Sequence, residues 1–196
     1  MIVVLGRPRL DADGALADTA GRIAVAAAAA GAAAGSRVDL VGAVADGEAG
    51  DLTVVALGRA GVGHAALLRR PGSGEVRPLD KADIDLGLSY VPDCRVLVVG
   101  EPLEPAALGA AVDAAAYHGA ALIALVPRGV AAPAELPESV TVLELPDEDE
   151  GAFARLVGTY AVGLAGGSAA PDAWQAAVRD TGWESAAESA AELDTE

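Results

Sequence analysis

Four consecutive acidic residues, Asp147–Glu150, stand directly before an alanine-rich segment that begins at Gly151. Free backbone N–H groups and the dipole favour negative charge at a helix N-terminus, so this pattern predicts a helix over Ala152–Leu164. Nucleotide-binding proteins use the same geometry to hold phosphate. The acidic run therefore indicates an anion site filled by the chain's own charge. A divalent cation is the alternative occupant, but consecutive acids lack the alternating spacing of a typical cation loop.

Other acidic residues follow predicted strand ends, where ligands of α/β proteins bind. Asp11 could bind a hydroxyl group of a polyol, or it could accept hydrogen bonds from backbone N–H groups of its own loop. For Asp46 and Asp51 a structural role is favoured, with Asp51 placing charge at a helix start. Glu101 and Glu104 could face a cleft, but a solvated turn before a helix is the favoured interpretation.

Metal and disulfide chemistry have little support in the sequence. His64 and His118 lie in unrelated segments, and Cys94 is the only cysteine, which excludes a disulfide framework and a zinc site built from cysteines. We therefore predict no metal site. His118-Gly119 is typical of a helix C-terminus, where a histidine interacts favourably with the dipole.

Short apolar runs alternate with helical segments along the chain, which predicts an α/β fold with a mostly parallel sheet covered on both faces. The segment Leu67–Pro78 is expected to form a hairpin or an extended edge, with a turn at Gly72-Ser73-Gly74. Residues 1–183 are expected to form one domain, and residues 184–196 an acidic, flexible tail. The predicted strands are Ile2–Leu5, Arg37–Val44, Arg95–Val99, Ala120–Val126 and Ser139–Leu145, and the predicted helices are Arg22–Ala34, Gly50–Ala60, Ala82–Tyr90, Pro105–Tyr117, Ala152–Leu164 and Pro171–Arg179.

The net charge and the residue composition argue against several classes of binding partner. The net charge of −16 and the single lysine, Lys81, argue against nucleic acid and anionic membrane surfaces as partners. Aromatic residues make up only 3% of the chain, so there is little surface on which bases or sugars could stack. Met1–Leu5 has the pattern of a strand rather than of a signal peptide, and the cytoplasm is the expected location.

The segment Arg37–Val62 resembles the early core of ribokinase-like (PfkB) carbohydrate kinases. In that family a strand ending in G-x-V leads to an Asp, a G-D pair and a helix that closes on A-G-V. The residues that fit this pattern are Gly42, Val44, Asp46, Gly50, Asp51, Ala60, Gly61 and Val62. Upstream, Gly6 to Asp11 is similar to the family's first strand and loop, in which the Asp binds sugar hydroxyls. The resemblance implies a three-layer α/β/α, Rossmann-like fold, with Asp11 and Gly21 as substrate-binding residues.

The departures from the family pattern concern its catalytic parts. The family's Gly-Gly before the first helix appears as Gly21-Arg22, and the segment between Asp11 and Gly21 is too short for the family's lid strands. The N-x-x-E motif associated with magnesium and phosphate has no counterpart. The G-A-G-D motif, whose glycines form the anion hole and whose Asp is the catalytic base, falls on Glu148 to Gly151, so that Gly151 occupies the position of the catalytic Asp.

These departures predict a family member that lacks phosphotransferase activity, because phosphoryl transfer depends on positioning and on stabilisation of the transferring group. Its expected role is non-catalytic, as an oligomerisation partner or as a binder of a small sugar or polyol, and a homodimer or a partner protein is expected. No catalytic residue and no cofactor are expected. One alternative is an active ATP-dependent sugar or nucleoside kinase with rearranged residues, which would use ATP and Mg²⁺. The other is a sugar sensor that retains only the half-site around Asp11.

Overall fold

A computed structural model of the protein describes residues 1–71, 76–134, 136–147 and 150–183, and for Glu150 it describes the backbone only. Six strands and six helices alternate for most of this length. The strands are β1 (Ile2–Gly6), β2 (Val38–Ala45), β3 (Leu67–Arg70), β4 (Val96–Val99), β5 (Ala121–Val126) and β6 (Thr141–Glu144). The helices are α1 (Thr19–Gly31), α2 (Glu48–Arg59), α3 (Lys81–Ser89), α4 (Pro105–His118), α5 (Glu150–Ala165) and α6 (Ala170–Thr181).

The six strands form one sheet in the order β3-β2-β1-β4-β5-β6, and every pair is parallel. The central strand β1 is buried along its whole length, as expected for a parallel strand with both faces covered. The predicted α/β class and parallel sheet are therefore confirmed.

Alternate residues of the strands point to opposite faces of the sheet and contribute to two hydrophobic cores. One face of the sheet, which includes Ile2, Val4 and Leu40, packs against α1, α2, α5 and α6. The other face, which includes Val3 and Leu5, packs against α3 and α4. Alanine dominates the inward sides of α1 and α4, so these helices can lie close to the sheet.

Helix α1 begins at Thr19, three residues before the predicted start at Arg22, because Asp18 caps it. The Asp18 side chain accepts a hydrogen bond from the backbone N–H of Gly21, which satisfies one of the open donors of the first turn. At the other end a short 3₁₀ turn, Ala32–Ala34, leads to Gly35 at φ 64°. Glycine adopts this left-handed conformation without steric cost. The α-helix itself ends at Gly31, three residues before the predicted end at Ala34, and Gly35 ends the 3₁₀ turn that follows.

The hairpin predicted within Leu67–Pro78 is wrong, whereas the alternative of an extended edge is correct. Strand β3 lies at the edge of the sheet and pairs with β2 in parallel, and a parallel partner requires a crossover through α2 rather than a tight turn. The predicted turn at residues 72–74 lies outside the described residues.

Lid strands are missing between β1 and α1, as predicted. The described chain from Arg7 to Asp18 contains an isolated antiparallel bridge between Leu10 and Leu16 and no strand. None of the helices in the described ranges is both long enough and apolar enough to cross a membrane.

Candidate functional site

A cavity of about 800 Å³ opens at the carboxyl ends of the strands. Its walls come from the loop after β1, the start of α1, the start of α2 and the loop after β4. Helix α1 leaves β1 towards one face of the sheet and α4 leaves β4 towards the other, so the cavity lies where the strand order reverses. This switch point is the common ligand position in open α/β sheets.

Glycines let the start of α1 approach the strand ends closely. A Cβ atom on Gly6 would lie 2.2 Å from the Ala20 Cβ, and one on Gly100 would lie 2.7 Å from the same atom. Any larger residue at either position would displace the helix start. The two glycines therefore fix the floor of the cavity at the ends of β1 and β4.

Arg7 and Glu101 form an ion pair across this floor. The Arg7 Nε donates to both carboxylate oxygens of Glu101 at 2.9 Å, and a terminal nitrogen of the same guanidinium donates to the carbonyl of Val76. Only 15% of the Glu101 side chain is exposed, so for Glu101 the solvated turn favoured from the sequence is wrong. Burial raises the pKa of Glu101, whereas the Arg7 guanidinium lowers it.

Asp18 is a second carboxylate on the cavity wall. Its oxygens accept the N–H groups of Gly21 at 2.7 Å and of Arg9 at 2.8 Å. Burial raises the pKa of Asp18, and these two backbone hydrogen bonds oppose the rise. The negative charge of Asp18 also raises the pKa of Glu101. The charge state of one carboxylate therefore affects the protonation of the other.

Asp11 lines the mouth of the cavity. Its Oδ1 accepts the N–H groups of Asp13 and Ala15, both at 2.9 Å, which is the local backbone role that the sequence allowed. Its second oxygen accepts no hydrogen bond from the described residues and can receive a ligand hydroxyl. Gly21 lies apart from the lining, buried behind Asp18, with its N–H committed to that cap.

The remaining acidic candidates make structural contacts. Asp51 pairs with Arg69 of β3 at 2.7 Å, and Asp46 accepts the N–H of Gly47 at 3.0 Å. The N-cap of α2 is Gly47, so Asp51 supplies charge to the first turn rather than the cap itself. Glu104 is the N-cap of α4, and its side chain makes no capping hydrogen bond.

Solved structures with the same arrangement of elements come from kinases. A putative ribokinase II from E. coli in complex with ATP and Mg²⁺ superposes with a TM-score of 0.63 at 12% identity, over 90% of this chain and 89% of that one. A ribokinase from Arabidopsis thaliana, complexed with ribose and ATP, gives 0.59 at 13% identity over 92% and 90%. A putative phosphofructokinase from Staphylococcus aureus gives 0.56 at 10% identity over 91% and 89%.

The chain has a ribokinase-like fold. No protein-family model matches the sequence, and no curated protein matches it either. At 10–13% identity the structural likeness establishes the fold alone. The three-layer fold class expected from the resemblance is thereby confirmed.

Asp147, the first residue of the acidic run, follows the edge strand β6 of this ribokinase-like sheet. Arg128, after β5, pairs with Asp147, after β6. Glu148, Asp149 and the side chain of Glu150 lie outside the described residues. Gly151, which the resemblance aligns with the family's catalytic Asp, lies in the first turn of α5 and lines a separate, shallower groove.

The sequence analysis did not identify Arg7 or Asp18 as residues of the cavity. It named Glu101 but did not predict that this side chain is buried. The signal for Asp18 was present, since Asp is a preferred N-cap and Thr19-Ala20 can begin a helix. The Arg7–Glu101 pair had no local signal, because its members are 94 residues apart. Within the described ranges, no group of three or more His, Cys, Asp or Glu residues is placed to hold a metal ion.

Proposed function

We propose that this ribokinase-like protein binds a small polyhydroxylated ligand in the switch-point cavity and does not transfer phosphate. The observation that carries the proposal is the cavity itself, about 800 Å³ in volume, with carboxylates of Asp11, Asp18 and Glu101 on its walls. Carboxylate oxygens accept hydrogen bonds from ligand hydroxyls, and charged acceptors give the stronger bonds.

The charge of the lining favours a hydroxyl-bearing ligand over a polyphosphate. The lining holds three carboxylates and two guanidiniums, those of Arg7 and Arg9. The Arg7 guanidinium is engaged by Glu101 and by the Val76 carbonyl, so Arg9 is the lining guanidinium that remains for phosphate groups, against three carboxylates. Like charges a few ångströms apart repel by about 4 kcal/mol at an effective dielectric of about 20.

The sequence at the start of α5 supports the absence of phosphoryl transfer. Where the family resemblance implies anion-hole glycines and a catalytic Asp, the chain has Glu148, Asp149, Glu150 and Gly151. Loss of one oxyanion donor costs about 10²–10³ in rate, and loss of a general base costs about 10²–10⁴. Combined losses of this size would reduce phosphotransfer to background.

Calorimetric titration with a panel of sugars and polyols tests the binding site, with Asp11→Asn as the diagnostic variant. Asparagine keeps the Oδ1 acceptor for the loop N–H groups but removes the negative charge from this lining residue. We expect Asp11→Asn to weaken binding by about 10- to 150-fold, since a hydrogen bond to a charged group contributes about 1.5–3 kcal/mol.

Asp13→Asn is the matched control, because Asp13 is exposed in the same loop and lies outside the cavity lining. Equal affinities for the wild type, Asp11→Asn and Asp13→Asn would remove Asp11 from the site. Release of ADP from ATP and Mg²⁺ with any sugar of the panel would contradict the non-catalytic assignment and favour the active-kinase alternative.

A further inference from the structure

Arg7 connects three parts of the cavity wall. It directly follows β1, its Nε donates to both carboxylate oxygens of Glu101 after β4, and a terminal nitrogen donates to the carbonyl of Val76, in the segment before α3. Only 21% of the Arg7 side chain is exposed. A guanidinium is planar and carries its N–H donors in fixed directions, so one arginine can hold both partners at the same time.

The charge of Glu101 depends on this arginine. Burial raises the pKa of Glu101, the hydrogen bond and the charge of Arg7 lower it, and the negative charge of Asp18 raises it further. Burial also raises the pKa of Asp18, and there the charge of Arg9 acts against the rise. When two carboxylates lie on one partly buried wall, loss of a compensating cation favours proton uptake by one of them. For Glu101 that cation is Arg7.

The segment that contains Val76 is held at its other end by a separate group of charges. Arg77 pairs with Asp80 at 2.9 Å and with Asp83 at 3.1 Å. Asp80 is the N-cap of α3, and Asp83 lies in the first turn of that helix. These contacts fix the segment to α3, and the hydrogen bond from Arg7 to the Val76 carbonyl joins it to the floor of the cavity.

We propose that Arg7 is the positioning residue of the switch-point cavity: it keeps Glu101 ionised at neutral pH and fixes the wall that contains Val76. The value of Glu101 as an acceptor for ligand hydroxyls rests on the proposed function, whereas its charge can be measured without any ligand. An ionised carboxylate only accepts hydrogen bonds, and a protonated one also donates. Loss of Arg7 therefore changes the chemistry of the cavity floor as well as its geometry.

Carbon-13 NMR of the Glu101 side-chain carboxyl carbon, recorded against pH without ligand, tests the charge. The signal is assigned by its absence from Glu101→Gln. We expect the ionised form in the wild type at pH 7, and a titration at higher pH in Arg7→Met, because the contact that opposes burial is removed. A protonated Glu101 in the wild type at pH 7 would overturn the proposal, as would equal Glu101 titrations in the wild type and Arg7→Met.

Arg37→Met is the matched control for the change in net charge. Arg37 also pairs with a carboxylate, that of Asp39 at 2.9 Å. It directly precedes β2, so it lies at the end of the sheet opposite the cavity. The Glu101 titration is expected to be the same in Arg37→Met and the wild type. An equal shift in Arg37→Met and Arg7→Met would overturn the proposal.

Arg7→Lys separates the two parts of the role. Lysine keeps the positive charge, so the Glu101 titration should stay closer to the wild type than in Arg7→Met. A single ammonium lacks the fork of N–H groups that reaches both partners. Hydrogen–deuterium exchange over residues 76–80 should therefore be faster in both variants than in the wild type, with unchanged exchange in α6 as the internal control.

Equal exchange over residues 76–80 in the wild type, Arg7→Lys and Arg7→Met would overturn the positioning of the wall. Equal Glu101 titrations in the two variants would overturn the part assigned to charge. Neither measurement requires a ligand, so a negative result with the panel of sugars and polyols bears on the proposed function alone.

Discussion

At the scale of single residues, the cavity depends on carboxylates held in a partly buried setting. Asp18 serves two purposes at once, because it caps α1 and also lies on the cavity wall. Glu101 is held by Arg7 from a distant part of the chain. Burial raises the pKa of both acids, so each carries a proton more readily in the folded protein than in the unfolded chain.

Asp18→Asn is expected to change how stability depends on pH. Because the folded pKa of Asp18 is raised above its ordinary value of 3.8, the folded state binds the proton more tightly. Its contribution to stability is complete below 3.8 and is lost as pH rises through the folded pKa. Asparagine keeps the capping oxygen without the charge. The difference in free energy of unfolding between the variant and the wild type should therefore shift in favour of the variant as the pH rises above 3.8, as measured by urea unfolding.

A constant difference between Asp18→Asn and the wild type over this pH range would show that Asp18 titrates alike in both states. Asp13→Asn again provides the control, because Asp13 is exposed. Its pH dependence is expected to follow that of the wild type.

At the scale of elements, small residues set how closely the helices pack. Gly158 of α5 faces α1, and a Cβ atom there would lie 2.7 Å from the backbone nitrogen of Ala27. Gly109 of α4 has open space at the same position, with no heavy atom within 4 Å. The same substitution at these two helical glycines should therefore have opposite effects.

Gly158→Ala is expected to lower the free energy of unfolding by about 1–3 kcal/mol, because the added methyl group forces α1 and α5 apart. Gly109→Ala is expected to raise it by about 0.5–1 kcal/mol, because alanine has the better helix propensity. Chemical denaturation of the two variants measures both. A stabilised Gly158→Ala variant would mean that α1 and α5 are less closely packed than described.

The elements were predictable from the sequence to the extent that local patterns determine them. The apolar runs of β1, β4 and β5 indicate buried strands, because they are too short for buried helices and are rich in β-branched residues. The start of α1 was misplaced because alanine-rich periodicity begins at Arg22, whereas the helix is fixed by the cap at Asp18. The parallel pairing of β3 and the Arg7–Glu101 contact depend on tertiary structure, and no spacing in the sequence encodes them.

At the scale of the whole molecule, a six-stranded parallel sheet forms a ribokinase-like fold, while the sequence departs from the pattern that the family resemblance associates with catalysis. The cavity at the switch point remains, and lid strands between β1 and α1 are missing. The sequence at the start of α5 is acidic where glycines would be expected to hold phosphate. We therefore propose that this fold binds a ligand without transferring phosphate.

A thermal-shift screen with sugars, polyols and ATP–Mg²⁺ tests this proposal most directly. A ligand that binds the folded state stabilises it by RT ln(1 + [L]/Kd), so weak binding is detectable at millimolar concentrations. We predict a raised Tm with at least one sugar or polyol and an unchanged Tm with ATP–Mg²⁺, alone or with that ligand. A Tm raised by ATP–Mg²⁺, or unchanged across the entire panel, would contradict the account.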